Sequence, residues 1–158
     1  MKIMVLGYSE TGKTTVAQML GEMLGLAYAN TSDQLIVEFA VKHGLSVDEV
    51  MAHKANHREA LFSFGRARQR EDPLWPQNVQ LETNSILTGL RNPNEIEAAR
   101  ADNLYNIIIW VNRPGYNPNV TDKLDSSFAD VVIENDGSIA ELRAKLEKLI
   151  GSISQPGG

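Results

Sequence analysis

Residues 7–14 read Gly-Tyr-Ser-Glu-Thr-Gly-Lys-Thr, a full match to the phosphate-binding pattern G-x-x-x-x-G-K-[ST]. In this pattern the backbone N–H groups of the loop and of the helix it opens face phosphate oxygens. Gly7 and Gly12 let the chain turn tightly and come close to the phosphates. Lys13 is expected to reach the β- and γ-phosphates, and the Thr14 hydroxyl to bind Mg²⁺. Ser9, Glu10, Thr11 and Thr15 complete the stretch expected to line the donor nucleotide, with the Glu10 side chain toward solvent.

Arginines form the second set. Phosphoryl transfer needs positive charge around the moving group, because its catalysis is mostly positioning and electrostatics. Arg58 and Arg66 lie about two helical turns apart in a helical stretch and can share a face. A guanidinium pair of that kind is a usual grip on a monophosphate. Arg91 leaves an apolar strand, and Arg113 opens a polar loop. Arg68 and Arg70 read as solvated surface residues. His53 and His57 have the i, i+4 spacing of a metal pair but lack the H-E-x-x-H pattern, so a helix-surface pair is the simpler reading. Trp75, beside Pro73 and Pro76, reads as a packing anchor rather than a base-stacking platform.

These residues need a frame, and the apolar pattern supplies one. Lys2–Leu6 is a short apolar run suited to a buried strand, followed by the loop. A helix with Val16, Met19, Leu20, Met23 and Leu24 on one face comes next and stops at Gly25. Leu26–Ala29 reads as a second strand, and Asp33–His43 as a helix with Leu35, Ile36, Phe39 and Ala40 inward and Gly44 as its stop. Ser46 and Glu49 have capping-box spacing. From about Lys54 to Thr83 the chain reads as mostly helical, broken at Asp72-Pro73 and Pro76. Ser85–Thr88, Asn106–Val111 and Asp130–Ile133 read as three more strands. A helix capped by Asn92, with Pro93 and Glu95, follows the first of these. The last helix is capped by Ser138 and Glu141, with Ile139, Leu142, Leu146, Leu149 and Ile150 as its apolar face. Residues 112–127 form a polar loop, and residues 151–158 read as a mobile tail.

Alternating strands and helices imply an α/β fold: a five-stranded parallel sheet with helices on both faces. One domain over 1–150 is expected, with a helical acceptor lobe at about 33–83 and a lid at about 112–127. The 158 residues suffice for one core, and 42% of them are hydrophobic. A net charge of −5 and a pI near 5.2 give no support to a nucleic-acid polymer or a membrane surface as partner. The absence of cysteine excludes disulfides and thiolate metal sites, and allows a reducing cytoplasm.

The chain resembles the nucleoside monophosphate kinases, most closely the phage-type deoxynucleoside monophosphate kinases and their dephospho-CoA-kinase-like relatives. Four stretches carry the resemblance: Gly7–Thr14; His57–Leu61 through Gly65-Arg66; Ile86–Glu95; and Ala129–Ser138, with its Asn-Asp-Gly turn. It implies a phosphate-loop kinase fold, ATP and Mg²⁺ as cofactors, and small nucleotide substrates. Lys13 and the loop would hold the donor. Arg58, Arg66 and Arg91 would hold the acceptor, and Arg113 would close over the transferring group. The Asn-Asp-Gly turn would sit beside the adenine.

One position departs from the family. Where its third strand usually carries an acidic residue, this chain has Thr88. Either another carboxylate takes the metal-shell role or turnover is weak or lost. Asp33, just past the second strand, is the substitute candidate for catalysis or acceptor binding; the alternative is a first-turn residue favoured by the helix dipole. Two further functional readings stand beside the monophosphate kinase: a small-metabolite kinase of the dephospho-CoA or shikimate type, and a nucleotide-binding regulator without turnover. A switch GTPase is disfavoured, because neither N-K-x-D nor a D-x-x-G after the third strand occurs.

Overall fold

The computed structural model describes residues 1–118 and 123–154. Its strands are the apolar runs: Ile3–Leu6 (β1), Tyr28–Asn30 (β2), Ile86–Thr88 (β3), Ile107–Asn112 (β4) and Val131–Glu134 (β5). They form one five-stranded sheet in the order β2-β3-β1-β4-β5, every neighbouring pair parallel. The helices are Lys13–Leu24 (α1), Thr31–His43 (α2), Val47–Ala52 (α3), Lys54–Glu71 (α4), Gln77–Gln80 (α5), Pro93–Ala101 (α6) and Ile139–Ser154 (α7).

Strand side chains alternate between faces, and both faces are covered. On one, Ile3, Val5, Ile86, Ile109 and Val111 pack with Val16 and Leu20 of α1 and with Leu142 and Leu146 of α7. On the other, Met4, Leu6, Leu87, Ile108 and Trp110 pack with Ile96 of α6. Burial on both faces is why β1 and β4 read as unbroken apolar runs rather than alternating ones. The helices between β2 and β3 have a core of their own, formed by Ile36, Phe39, Ala40, Val50 and Leu61. The capping boxes at Ser46–Glu49 and Asn92–Glu95 are both formed.

The structure corrects three details. β2 begins at Tyr28, not Leu26, because Leu26 belongs to the end of α1: Gly25 is left-handed, and the Leu26 N–H donates to the Gly21 carbonyl at 3.0 Å. The last helix does not end before Gly151 but continues to Ser154, and Ile153 joins Leu149 and Ile150 against the core. That packing outweighs the helix penalty of one glycine. Ile139 is 62% exposed and does not belong to the apolar face of α7. The remainder of the expected tail, 155–158, and positions 119–122 of the expected lid lie outside the described residues.

Candidate active site

A parallel sheet gathers the C-terminal ends of its strands on one edge, here Leu6, Asn30, Thr88, Asn112 and Glu134. That is the edge where open α/β sheets hold ligands. The loop from β1 to α1 stands on it. A Cβ on Gly7 would lie 2.7 Å from Thr11 Oγ1 and 2.8 Å from the Val111 carbonyl oxygen, so only glycine fits there. Gly12 caps α1 in the left-handed region, φ +101. Glu10 also has a positive φ, +63, and its side chain is exposed as expected.

The loop is braced from within. Thr11, 1% exposed, donates its hydroxyl to the Tyr8 carbonyl at 2.9 Å. Lys13 Nζ donates to the Gly7 carbonyl at 2.9 Å. Asn135, in the turn after β5, donates its Nδ2 to the Thr11 carbonyl at 2.9 Å. The first turn of α1 carries no acidic side chain, unlike those of α2, α3 and α6. A helix start kept clear of carboxylates, behind a loop whose two glycines have no room for a Cβ, fits a bound polyphosphate. Thr14 is exposed at the second position of α1, where its hydroxyl could join an Mg²⁺ shell. Thr88, the neutral residue of β3, is 3% exposed.

A shallow cleft opens beside the loop. It is lined by Gly7, Tyr8, Ser9 and Lys13 from the loop, Leu90 and Arg91 after β3, Trp110 of β4, and Lys123 and Leu124. Tyr8 meets Trp110 edge to face, ring centroids 5.0 Å apart. The lining therefore joins an apolar floor to the cations of Lys13, Arg91 and Lys123, and includes no carboxylate. Gly89, φ +100, brings β3 against the start of α2: a Cβ there would lie 2.8 Å from Thr31 Oγ1. Gln80 adds a tie, donating its side-chain amide to the Asn30 carbonyl at 2.8 Å.

The expected site residues are distributed unevenly. Ser9, Lys13 and Arg91 line the cleft. Asp33 is exposed in the first turn of α2, behind the Asn30 cap, whose Oδ1 accepts from the Ser32 N–H. Arg58 and Arg66 are exposed on α4, and neither lines the cleft; Arg66 lies over the Phe62 ring at 5.3 Å. Arg113 is exposed over the Tyr116 ring at 5.0 Å. His53 separates α3 from α4, and His57 packs edge-on against Phe39. Among the described residues no group of three or more His, Cys, Asp and Glu could hold a metal ion.

Arg68 is not the solvated arginine the sequence suggests. It bridges to Glu38 of α2 at 3.1 Å and lies over the Trp75 ring at 4.9 Å. Glu38 also accepts from Trp75 Nε1 and from Gln34 at 3.0 Å, so one carboxylate joins α2 to α4 and to the chain beyond it. Trp75, 5% exposed, is the packing anchor expected. A second buried polar group lies under α6. Gln77 accepts from the Tyr105 hydroxyl at 2.7 Å and donates to the Glu95 carbonyl at 3.2 Å. Burial pushes the Glu95 carboxyl up to about 7, against backbone hydrogen bonds from Asn92 and Arg91 that lower it. Burial, with the charge of Glu95 second, raises the Tyr105 hydroxyl.

Lys123, Tyr8 and Trp110 take places at the site that sequence reasoning did not give them, and Asn135, expected beside the adenine with its turn, also meets the phosphate loop. Tyr8 lies inside the motif, where only the fixed positions draw notice, and Asn135 lies in the Asn-Asp-Gly turn. Nothing in the sequence pairs Trp110 with the loop, because its contact with Tyr8 depends on β4 lying next to β1.

No protein-family model matches the sequence, and no curated protein matches it. Solved structures do match in shape. A shikimate kinase from Acinetobacter baumannii, in complex with shikimate, is 17% identical with a TM-score of 0.55, covering 97% of this chain and 94% of its own. The shikimate kinase from Aquifex aeolicus is 16% identical with a TM-score of 0.52, covering 99% and 100%. A sugar kinase from Janibacter sp. HTCC2649 is 12% identical with a TM-score of 0.53, covering 95% and 94%. The five-stranded parallel sheet in the order β2-β3-β1-β4-β5, with the phosphate loop at its carboxyl edge, is the fold of the phosphate-loop kinases.

Proposed function

We propose that this chain is an ATP- and Mg²⁺-dependent kinase that phosphorylates a hydroxyl group of a small metabolite. The observation that carries the proposal is the cleft itself. A complete phosphate loop and the cations of Lys13, Arg91 and Lys123 border one shallow apolar floor, with no carboxylate in the lining. The end-to-end likeness to shikimate and sugar kinases supports a small hydroxylated acceptor over a nucleoside monophosphate.

When bound, ATP would supply the phosphoryl group, and the Thr14 hydroxyl would help to hold the Mg²⁺ that offsets its phosphate charge. The chain's own residues do the rest. The loop amides and Lys13 hold negative charge at fixed positions. Arg91 and Lys123 orient an acceptor through an anionic group. A hydroxyl acceptor must lose its proton, unlike a phosphate acceptor that is already anionic. Asp33, exposed where β2 enters α2, is assigned to accept that proton. Arg113 is assigned to the loop that closes over the transferring group. A coupled assay of ADP release, run with small hydroxylated carboxylates, sugars and nucleoside monophosphates, tests this. Turnover with a small hydroxylated compound supports it; turnover confined to monophosphates returns the chain to the nucleotide-kinase reading.

A further inference from the structure

The turn after β5 touches the phosphate loop at one point, and the contact bears on how the loop binds phosphate. Asn135 Nδ2 donates to the Thr11 carbonyl at 2.9 Å. The same nitrogen lies 2.6 Å from where a Cβ on Gly12 would stand, so the absence of that carbon lets Asn135 approach. Thr11 and Gly12 share one peptide plane. In a trans peptide the C=O and the following N–H point in opposite directions. Holding the Thr11 carbonyl toward Asn135 therefore turns the Gly12 N–H away from it.

A clamp is needed because glycine does not set the orientation by itself. Gly12 has φ +101, and glycine tolerates positive and negative φ about equally. The Thr11–Gly12 peptide could rotate and present its carbonyl oxygen where an anion requires an N–H. Asn135 is well placed to prevent that, since its own backbone is held on both sides. Its N–H donates to the Asn112 carbonyl at 2.7 Å. Lys145 of α7 donates to the Glu134 carbonyl and to the Asp136 carboxylate, each at 2.7 Å. The bracket thus runs from α7 and β4 through the turn to the loop.

We propose that Asn135 is a positioning residue of the donor site: its side-chain amide fixes the Thr11–Gly12 peptide so that the Gly12 N–H faces the phosphates. The inference rests on the phosphate loop being the donor site, as under Proposed function. It assigns to Asn135 an action on the phosphates, apart from any contact of its turn with the base.

The test uses the full chain with Asn135→Asp, which keeps the shape and cannot donate, and Asn135→Ala. In the unliganded protein, amide NMR should give one sharp Gly12 resonance for the wild type. In the variants that resonance should shift or broaden while the core resonances of β1 and β4 stay in place. Calorimetry with Mg²⁺-ATP should find affinity lowered about two- to tenfold in Asn135→Ala, the range for one neutral hydrogen bond. It should fall further in Asn135→Asp, where a carboxylate faces the loop. KM for the acceptor should not move. An unchanged Gly12 resonance and unchanged ATP affinity in both variants overturn the inference, as does an equal loss for ATP and acceptor. If the wild type binds no ATP, the donor-site reading fails instead, and the Gly12 resonance still decides whether Asn135 sets the peptide. If Asn135→Asp does not fold, Asn135→Ala carries both readouts.

Discussion

Lys13 lies at the meeting point of loop, helix and cleft, so it is the residue on which the chemistry should depend most. Lys13→Ala is expected to lower turnover by about a hundredfold or more, the scale of losing a charge aimed at a transferring phosphate. Steady-state rates at saturating ATP check this, and near-wild-type turnover would remove the donor-site assignment. Asp33→Asn keeps size and first-turn compatibility but removes the carboxylate. Turnover should fall while thermal stability stays close to wild type; an unchanged rate and an unchanged Mg²⁺ titration would leave Asp33 as a helix-start residue. The cations divide into two groups by position. Arg91→Ala and Lys123→Ala, in the cleft, should each raise the acceptor KM by about ten- to a hundredfold, as expected for a hydrogen bond to a charged group. Arg58→Ala, on the exposed side of α4, should do much less. Varying each substrate separately separates these cases from an effect on ATP.

Among the elements, α6 carries the clearest pH signature. Glu95 is buried at its start, with a carboxyl raised to about 7. A carboxyl raised in the folded state favours the fold while protonated. Its contribution is fully present below its ordinary value of 4.5 and is lost as pH rises through about 7. The loss is roughly 3 kcal/mol over that interval. Urea unfolding should therefore find the wild type less stable at pH 8 than at pH 5. Glu95→Gln, which can still accept from the Asn92 N–H, should flatten that difference; parallel profiles for the two proteins would contradict the burial argument. The capping box was legible in the sequence because Asn92, Pro93 and Glu95 are near neighbours. The desolvation of Glu95 was not, since burial to 4% exposure is set by tertiary packing rather than by its near neighbours in sequence. The same distinction explains Arg68. Its spacing on α4 says only that it is a helical arginine, whereas its bridge to Glu38 depends on how α2 crosses α4.

At the scale of the molecule, the fold was legible nearly throughout. A sheet buried on both faces leaves continuous apolar runs, and the helices between them carry glycine stops and polar caps. The phosphate loop could be read because its geometry is local: a strand, a glycine turn and a helix start in sequence. The acceptor side could not be read in the same way. The cleft proposed to hold the acceptor is lined by Leu90 and Arg91 after β3, Trp110 of β4, Lys123 and Leu124, and which arginine or lysine borders that cleft depends on strand order. The monophosphate reading rested on the four-stretch resemblance and gave the acceptor phosphate to Arg58 and Arg66, neither of which lines the cleft. The central claim is therefore best tested by product formation. Purified chain with Mg²⁺-ATP should be assayed for ADP release across small hydroxylated carboxylates, sugars and nucleoside monophosphates, with Lys13→Ala alongside. The expected result is turnover with a small hydroxylated acceptor, well above that with any monophosphate and lost in Lys13→Ala. Binding of ATP without ADP release for any acceptor would contradict it and favour a nucleotide-binding regulator.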